Sequence, residues 1–367
     1  MNNRLQSLQT WLKEHGHSAA LITAGTSLAF LTGWHTEAFE RLTALLVPAA
    51  GEPALIVPGL DRDRALAAAS TVADQHVWVD GTDPWVLLAS VAARRDVRGG
   101  TVAVDKASLS LAAWEQLSAA LPDARTVDLG PVLEAMRMVK DPQALAALQL
   151  AADLLNPALE QTVAAVRPGM TERQVARILR DALEQAGAEG LSFDPLVQGG
   201  PNTALHHGGP GDRPLGAGDL LLLDFGARKG GYCSDITRVF TLGEFSARAA
   251  EIYGVVLEAC RAGLAAVGPG VLCGDVDAAA RRVIDQAGYG QYFTHRTGHG
   301  LGLDAHEPPY LASGSAAVLQ PGNVVTVEPG IYLPGFGGVR IEEMVAVTDT
   351  GRRVLTTFPV QPRILPV

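Results

Sequence analysis

Two rhythms of apolar and polar residues alternate over the first 130 positions. Short apolar runs ("AALI", "LTALLVP", "PALIVPG", "TVAVD") have the length of buried strands. Between them lie Ala-rich helical stretches such as Arg62–Ser70 and Leu109–Ala120, and Leu5, Leu8, Trp11 and Leu12 form one helix face near the start. This alternation predicts an α/β domain. The character changes at "LEAMRMVKDPQ": Asp141 followed by Pro142 reads as an N-cap and first helical residue, with Leu145, Leu148, Ala152 and Leu155 along one side of the helix that follows. The reading therefore divides the chain into residues 1–132 and 133–367.

The second part repeats itself. "VRPGMTERQVARILRDALEQAG" (Val166–Gly187) matches "VGPGVLCGDVDAAARRVIDQAG" (Val267–Gly288), with Val175 on Val276 and Arg180 on Arg281. Each copy reads as a Pro-Gly turn leading into an amphipathic helix that ends at Gly, and Thr171 with Gln174 has the form of a capping box. Further on, "GDLLLLDFG" (Gly218–Gly226) matches "GNVVTVEPG" (Gly322–Gly330), placing Asp224 on Glu328. A helix plus an acid-bearing hairpin, repeated in order, predicts an α+β domain built on an internal pseudo-twofold.

Composition narrows the function. The net charge is −10, and no Lys/Arg-rich run offers a footprint for nucleic acid. Residues 1–17 lack the plan of a signal peptide, and no apolar stretch approaches a membrane span. Cys233, Cys260 and Cys273 are odd in number and have no metal-type spacing, which argues against a disulfide framework; Cys233 reads as a small buried filler, and the whole points to a cytoplasmic protein.

The candidate chemistry sits on the hairpins. A turn around Lys229–Gly230 places Asp224 opposite Asp235, on a face otherwise made of Leu, Phe, Ile and Val. Like charges opposed in a sheet are destabilising unless a cation lies between them. In the second copy Glu328 and Glu342 take the corresponding places. Four converging carboxylates are balanced by two divalent cations, and the segment "HRTGHGLGLDAHEPP" offers His295, His299 and His306. An imidazole among hard oxygens tilts the choice to transition metals over Ca²⁺. Gly298, Gly300 and Gly302 argue for a strand or loop there rather than a helix. Paired metals activate water and clamp a tetrahedral intermediate.

In the order Asp224, Asp235, His299 ("TGHGLG"), Glu328 ("VEPGIY") and Glu342 ("GGVRIEE"), the chain from about Glu134 onward resembles the pita-bread metallopeptidases, the family of methionine aminopeptidase, aminopeptidase P and prolidase. The preceding residues resemble the creatinase-type N-terminal domain of the aminopeptidase P and prolidase branch. The resemblance implies that Asp235 and Glu342 bridge two metals, that Asp224 completes one site, and that His299 and Glu328 complete the other. Glu328 would also carry a proton to the leaving nitrogen. His207, seventeen residues ahead of Asp224, and His306 would hold the scissile carbonyl and the developing oxyanion. His206, His207's neighbour, reads as structural, and Tyr232 and Tyr332 as packing residues. His295 and Arg340 are candidates for the substrate pocket or for support of the ligands.

The implied activity is hydrolysis of Xaa-Pro bonds in proline-containing peptides. It would use two divalent ions, Mn²⁺ first and Co²⁺, Zn²⁺ or Fe²⁺ after it, in a homodimer or larger assembly. Some prolidases carry an Arg four residues after the second pocket His, to grip a dipeptide's carboxylate. Here that position is Tyr310, which favours an aminopeptidase over a dipeptidase. A metal-free creatinase-like amidinohydrolase and a non-catalytic binding module are weaker readings, because all five ligand types are present.

Overall fold

The computed structural model describes residues 3–36, 40–97, 99–206 and 208–367. It divides between Arg137 and Met138, a few residues past the sequence-derived boundary, because the helix Gly130–Met138 runs through that point.

The first unit is a six-stranded sheet in the order Asp74–Trp78, Ala54–Pro58, Ala44–Pro48, Ala19–Thr23, Gly99–Val104, Asp123–Asp128. Only Ala44–Pro48 runs antiparallel to its neighbours. Ala44–Pro48 and Ala54–Pro58 are buried along their whole length, which is why they read as unbroken apolar runs. The opening helix Asn3–Glu14 buries Leu5, Leu8 and Leu12 as its spacing requires.

The second unit builds each repeat as a helix pair laid on a sheet. In the first copy the helices Leu155–Ala165 and Glu172–Gln185 share a core with strands Leu220–Phe225 and Ile236–Leu242. In the second, Ala247–Ala266 and Cys273–Gln286 pack with Val324–Val327 and Glu343–Thr348. The capping box forms, with Thr171 accepting from the Gln174 amide and Gln174 reaching back. Its counterpart starts at Leu272 with no side-chain cap. Asp141 caps the helix Pro142–Asp153 by accepting from the Ala144 amide. Leu155 falls outside that helix, contrary to expectation, since the chain breaks at Leu154 and starts the next one.

Candidate metal centre

The first hairpin corrects the sequence reading. Its turn is Gly230–Gly231, both with positive φ (57° and 78°), rather than Lys229–Gly230. A tight two-residue turn that matches strand twist needs left-handed backbone at both central positions, and only the Gly-Gly pair supplies it without strain. Lys229 therefore faces Tyr232, and Asp224 faces Thr237 instead of Asp235. A slip of two residues preserves the face, so Asp235 becomes the diagonal neighbour of Asp224. Ser234 and Asp235 lie between the strands Tyr232–Cys233 and Ile236–Leu242, and the Asp235 amide meets the Met344 sulfur.

The second hairpin keeps a strict register. Val327 faces Glu343 and Gly330 faces Arg340, so the two ladders make Glu328 and Glu342 facing positions across a short gap. In that gap the Glu328 amide donates to the Thr297 carbonyl and the Glu342 amide to the Thr237 carbonyl.

His299 arrives on the strand Gly298–Gly300, as the glycine-rich reading expected. A Cβ at Gly298 would lie 2.0 Å from the Thr326 carbonyl oxygen, so close backbone approach excludes any larger residue. His299 Nδ1 hydrogen-bonds the Gly300 carbonyl at 3.0 Å. With Nδ1 donating, Nε2 presents its lone pair 3.3 Å from Glu328 Oε1 and 3.8 Å from Asp235 Oδ2. Burial, followed by the nearby His306, pushes the His299 pKa down to about 3, so the ring is neutral. A lone pair aimed at carboxylate oxygens is repulsive unless a cation stands between them.

Ligand atoms of Asp224, Asp235 and Glu342 lie within 4.8 Å of one another, as do those of His299, Glu328 and Glu342, and those of Asp235, His299 and His306. Asp224, Asp235, His299 and Glu342 are buried, and Glu328 is partly so. Asp235 Oδ1 and Glu342 Oε1 have no hydrogen-bond partner among the described residues. Burial, then neighbouring acids, raises the pKa of Asp235 and of Glu342 well above the usual carboxylate range. Glu328 is pushed up to about 7, chiefly by burial. Orphaned oxygens, a neutral imidazole and a crowd of acids fit divalent cations well.

A buried cation lies on the cluster's edge. Arg340 contacts the Asp224 carboxylate, donates to the Tyr332 hydroxyl at 2.9 Å and to Thr237 Oγ1 at 3.1 Å. Burial opposes its charge, yet Tyr332, Asp224 and Glu328 hold it protonated. Tyr332 is thus more than packing: its hydroxyl also pairs with His295 Nε2 at 2.8 Å. Thr237, which the sequence reading passed over, donates to Glu342 Oε2 at 2.7 Å.

These groups open on a cleft of about 730 Å³, lined also by His206, Thr294, His295, Arg296 and His306. His306 is exposed there, its ring 4.1 Å from that of His299. His207 lies outside the described residues. His206 pairs with Thr294 Oγ1 at 2.8 Å and packs on Tyr332, so it lines the cleft as well as bracing it. The three cysteines are buried free thiols.

Residues 146–349 match the model of metallopeptidase family M24, and residues 4–139 match the creatinase/prolidase N-terminal domain. The chain belongs to metallopeptidase family M24. It is 36% identical to an Xaa-Pro dipeptidase of Lactobacillus delbrueckii subsp. lactis, over 99% of each chain. Its fold superposes on a dipeptidase from Pyrococcus horikoshii OT3 with TM-score 0.93 and 35% identity, covering 99% of this chain and 100% of that one. An X-Pro aminopeptidase from Thermotoga maritima gives 0.88 and 32%, with 99% and 100% covered. The metallopeptidase assignment and the two-domain architecture expected from the sequence both hold. Among the described residues, no helix is long and apolar enough to cross a membrane.

Proposed function

We propose that this M24 metallopeptidase hydrolyses Xaa-Pro bonds and that Xaa-Pro dipeptides are its main substrates. The observation that carries the hydrolytic reading is the buried acid cluster with its two orphaned oxygens. In this reading Asp224, Asp235, His299, Glu328 and Glu342 would hold two divalent ions, with Asp235 and Glu342 common to both. Two such ions more than balance the four acids once Arg340 is counted, which suits a centre that must also hold an anion. Bound ions, Mn²⁺ foremost, supply Lewis acidity and water activation.

The chain's own groups do the rest. Glu328 is the partly exposed acid of the set and faces the cleft, so it can take a proton and return it to the departing proline nitrogen. His306 can hold the carbonyl oxygen as charge develops, with His207 as the counterpart from the first repeat. Thr237 and Arg340 fix Glu342 and Asp224. Tyr310 alone pointed to longer peptides, whereas relatives that match end to end and are named dipeptidases support the shorter substrate. The proposal includes a cytoplasmic homodimer or larger assembly, which a monomer in sedimentation at micromolar concentration would refute.

The test is turnover of Ala-Pro, Ala-Pro-Ala and Ala-Ala by the Mn²⁺-loaded protein. Ala-Pro should be cleaved best and Ala-Ala poorly, with activity removed by a chelator and restored by metal. Failure of every proline substrate would refute the proposal, and turnover of Ala-Pro-Ala alone would return it to an aminopeptidase.

A further inference from the structure

Two cationic side chains line the cleft beside the acid cluster, Arg340 and Arg296. Arg340 is buried and already committed to Asp224, Tyr332 and Thr237. Arg296 is different. It is half-buried, and its guanidinium carbon lies 4.3 Å from the centre of the Tyr310 ring. Among the described residues its guanidinium pairs with no carboxylate. Stacking on a ring face immobilises a guanidinium while leaving the N–H groups on its edge free. Tyr310 itself faces His299 across the strand pair, so the stacked arginine is held beside a ligand-bearing strand. Arg296 lines the same cleft as Glu328 and His299.

We propose that Arg296, shelved on Tyr310, grips the free C-terminal carboxylate of a dipeptide substrate. This deepens the Xaa-Pro reading and rests on it. In an Xaa-Pro dipeptide the carboxylate carbon is only about 3–4 Å from the scissile carbonyl carbon, the span of one residue's backbone. An anion receptor for it must therefore stand at the edge of the catalytic cluster, where Arg296 is placed. A planar fork offers a carboxylate two parallel charge-assisted bonds, and an amide at the same place can accept from only one of them without charge. Tyr310 thus becomes the support of the carboxylate receptor rather than a sign that none exists. A guanidinium at position 310 is unnecessary if one reaches the same spot from residue 296.

The experiment compares Ala-Pro, Ala-Pro-NH₂ and Glu-Pro in the Mn²⁺-loaded wild type, Arg296→Met and Arg296→Lys. Wild type should prefer the acid to the amide by roughly 10–100-fold in kcat/KM, the range of one charge-assisted pair. In Arg296→Met that ratio should fall to near one, mainly through a higher KM for Ala-Pro. Arg296→Lys should keep part of the preference, since it restores charge without the fork. Equal turnover of acid and amide by wild type would overturn the carboxylate grip while leaving Xaa-Pro hydrolysis standing. So would an Arg296→Met variant that loses both substrates alike, or one that loses Glu-Pro selectively, which would assign Arg296 to the N-terminal side chain. If wild type cleaved no Xaa-Pro compound, the underlying function would fall and this inference with it.

Discussion

The two hairpins bring their acids to one cluster by different routes. In the first, a two-residue Gly-Gly turn and a return arm interrupted at Ser234–Asp235 leave the two aspartates diagonal. In the second, a three-residue loop joins Leu333 to Gly337, and the two glutamates are facing positions in one register. What the copies share is parity, which keeps both acids on one face, and a break in the ladder beside the acids. Neither hairpin supports its own carboxylates fully. Thr237 of the first bonds Glu342 of the second, and Arg340 of the second contacts Asp224 of the first. Beneath them the fully buried Arg238 donates to the Glu342 carbonyl at 2.6 Å and pairs with Glu343 at 2.7 Å. A repeat can therefore diverge in loop length while the centre survives, provided the cross-bracing between copies is kept.

The largest effect should come from removing a shared acid. Asp235→Asn deletes one charge from the diagonal pair, and it should lose at least one metal per chain and essentially all activity. Metal analysis of the purified variant checks this, and full occupancy with near-normal turnover would break the equivalence of the hairpins. Next, Arg238→Met leaves Glu343 buried without its cation and should cost about 3–5 kcal/mol in denaturant unfolding. Replacing both partners by apolar residues should recover part of that loss. A loss within experimental error for the single variant would show that the pair does not tie the copies together.

The two histidines proposed to hold the oxyanion offer a third comparison. His207→Ala and His306→Ala should each retain metal and lose roughly 10²–10³ in kcat, with His206→Ala milder. If His206→Ala is the crippling change, the first copy presents its histidine one residue earlier than expected.

The smallest effect concerns pH. Burial, then Arg340, with His206 and Arg281 adding to it, lowers the His295 pKa to about 3 from an ordinary 6.5. The unfolded chain binds this proton below about 6.5 and the folded one only near 3, so stability is full above that range and falls as pH drops through it. His295→Gln should make the acid limb of the stability curve shallower. An unchanged limb would mean that His295 titrates freely.

Much of this was legible in the chain. The repeat could be read because its Pro-Gly turns and helix-ending glycines require particular backbone: Gly169 and Gly270 both have positive φ, as do Gly187 and Gly288. Asp141 capped its helix because capping is local. The hairpin register was misread although its signal was present, since only Gly230–Gly231 puts Gly at both positions that need φ > 0. Tyr332 was undervalued for another reason. Its hydroxyl meets Arg340 within the second hairpin, but it finds His295 only after that hairpin meets the segment before His299, a contact that no local pattern encodes. Arg296 was overlooked because its meaning depends on Tyr310, fourteen residues later on a neighbouring strand.

On the proposed function, two unlike hairpins jointly hold two ions. Anomalous diffraction from crystals of the Mn²⁺-loaded protein, collected at the metal edge, tests it most directly. Two peaks per chain are expected, with Asp235 and Glu342 touching both, Asp224 touching one, and His299 and Glu328 the other. A single peak held by one hairpin, or two peaks with no shared carboxylate, would contradict it.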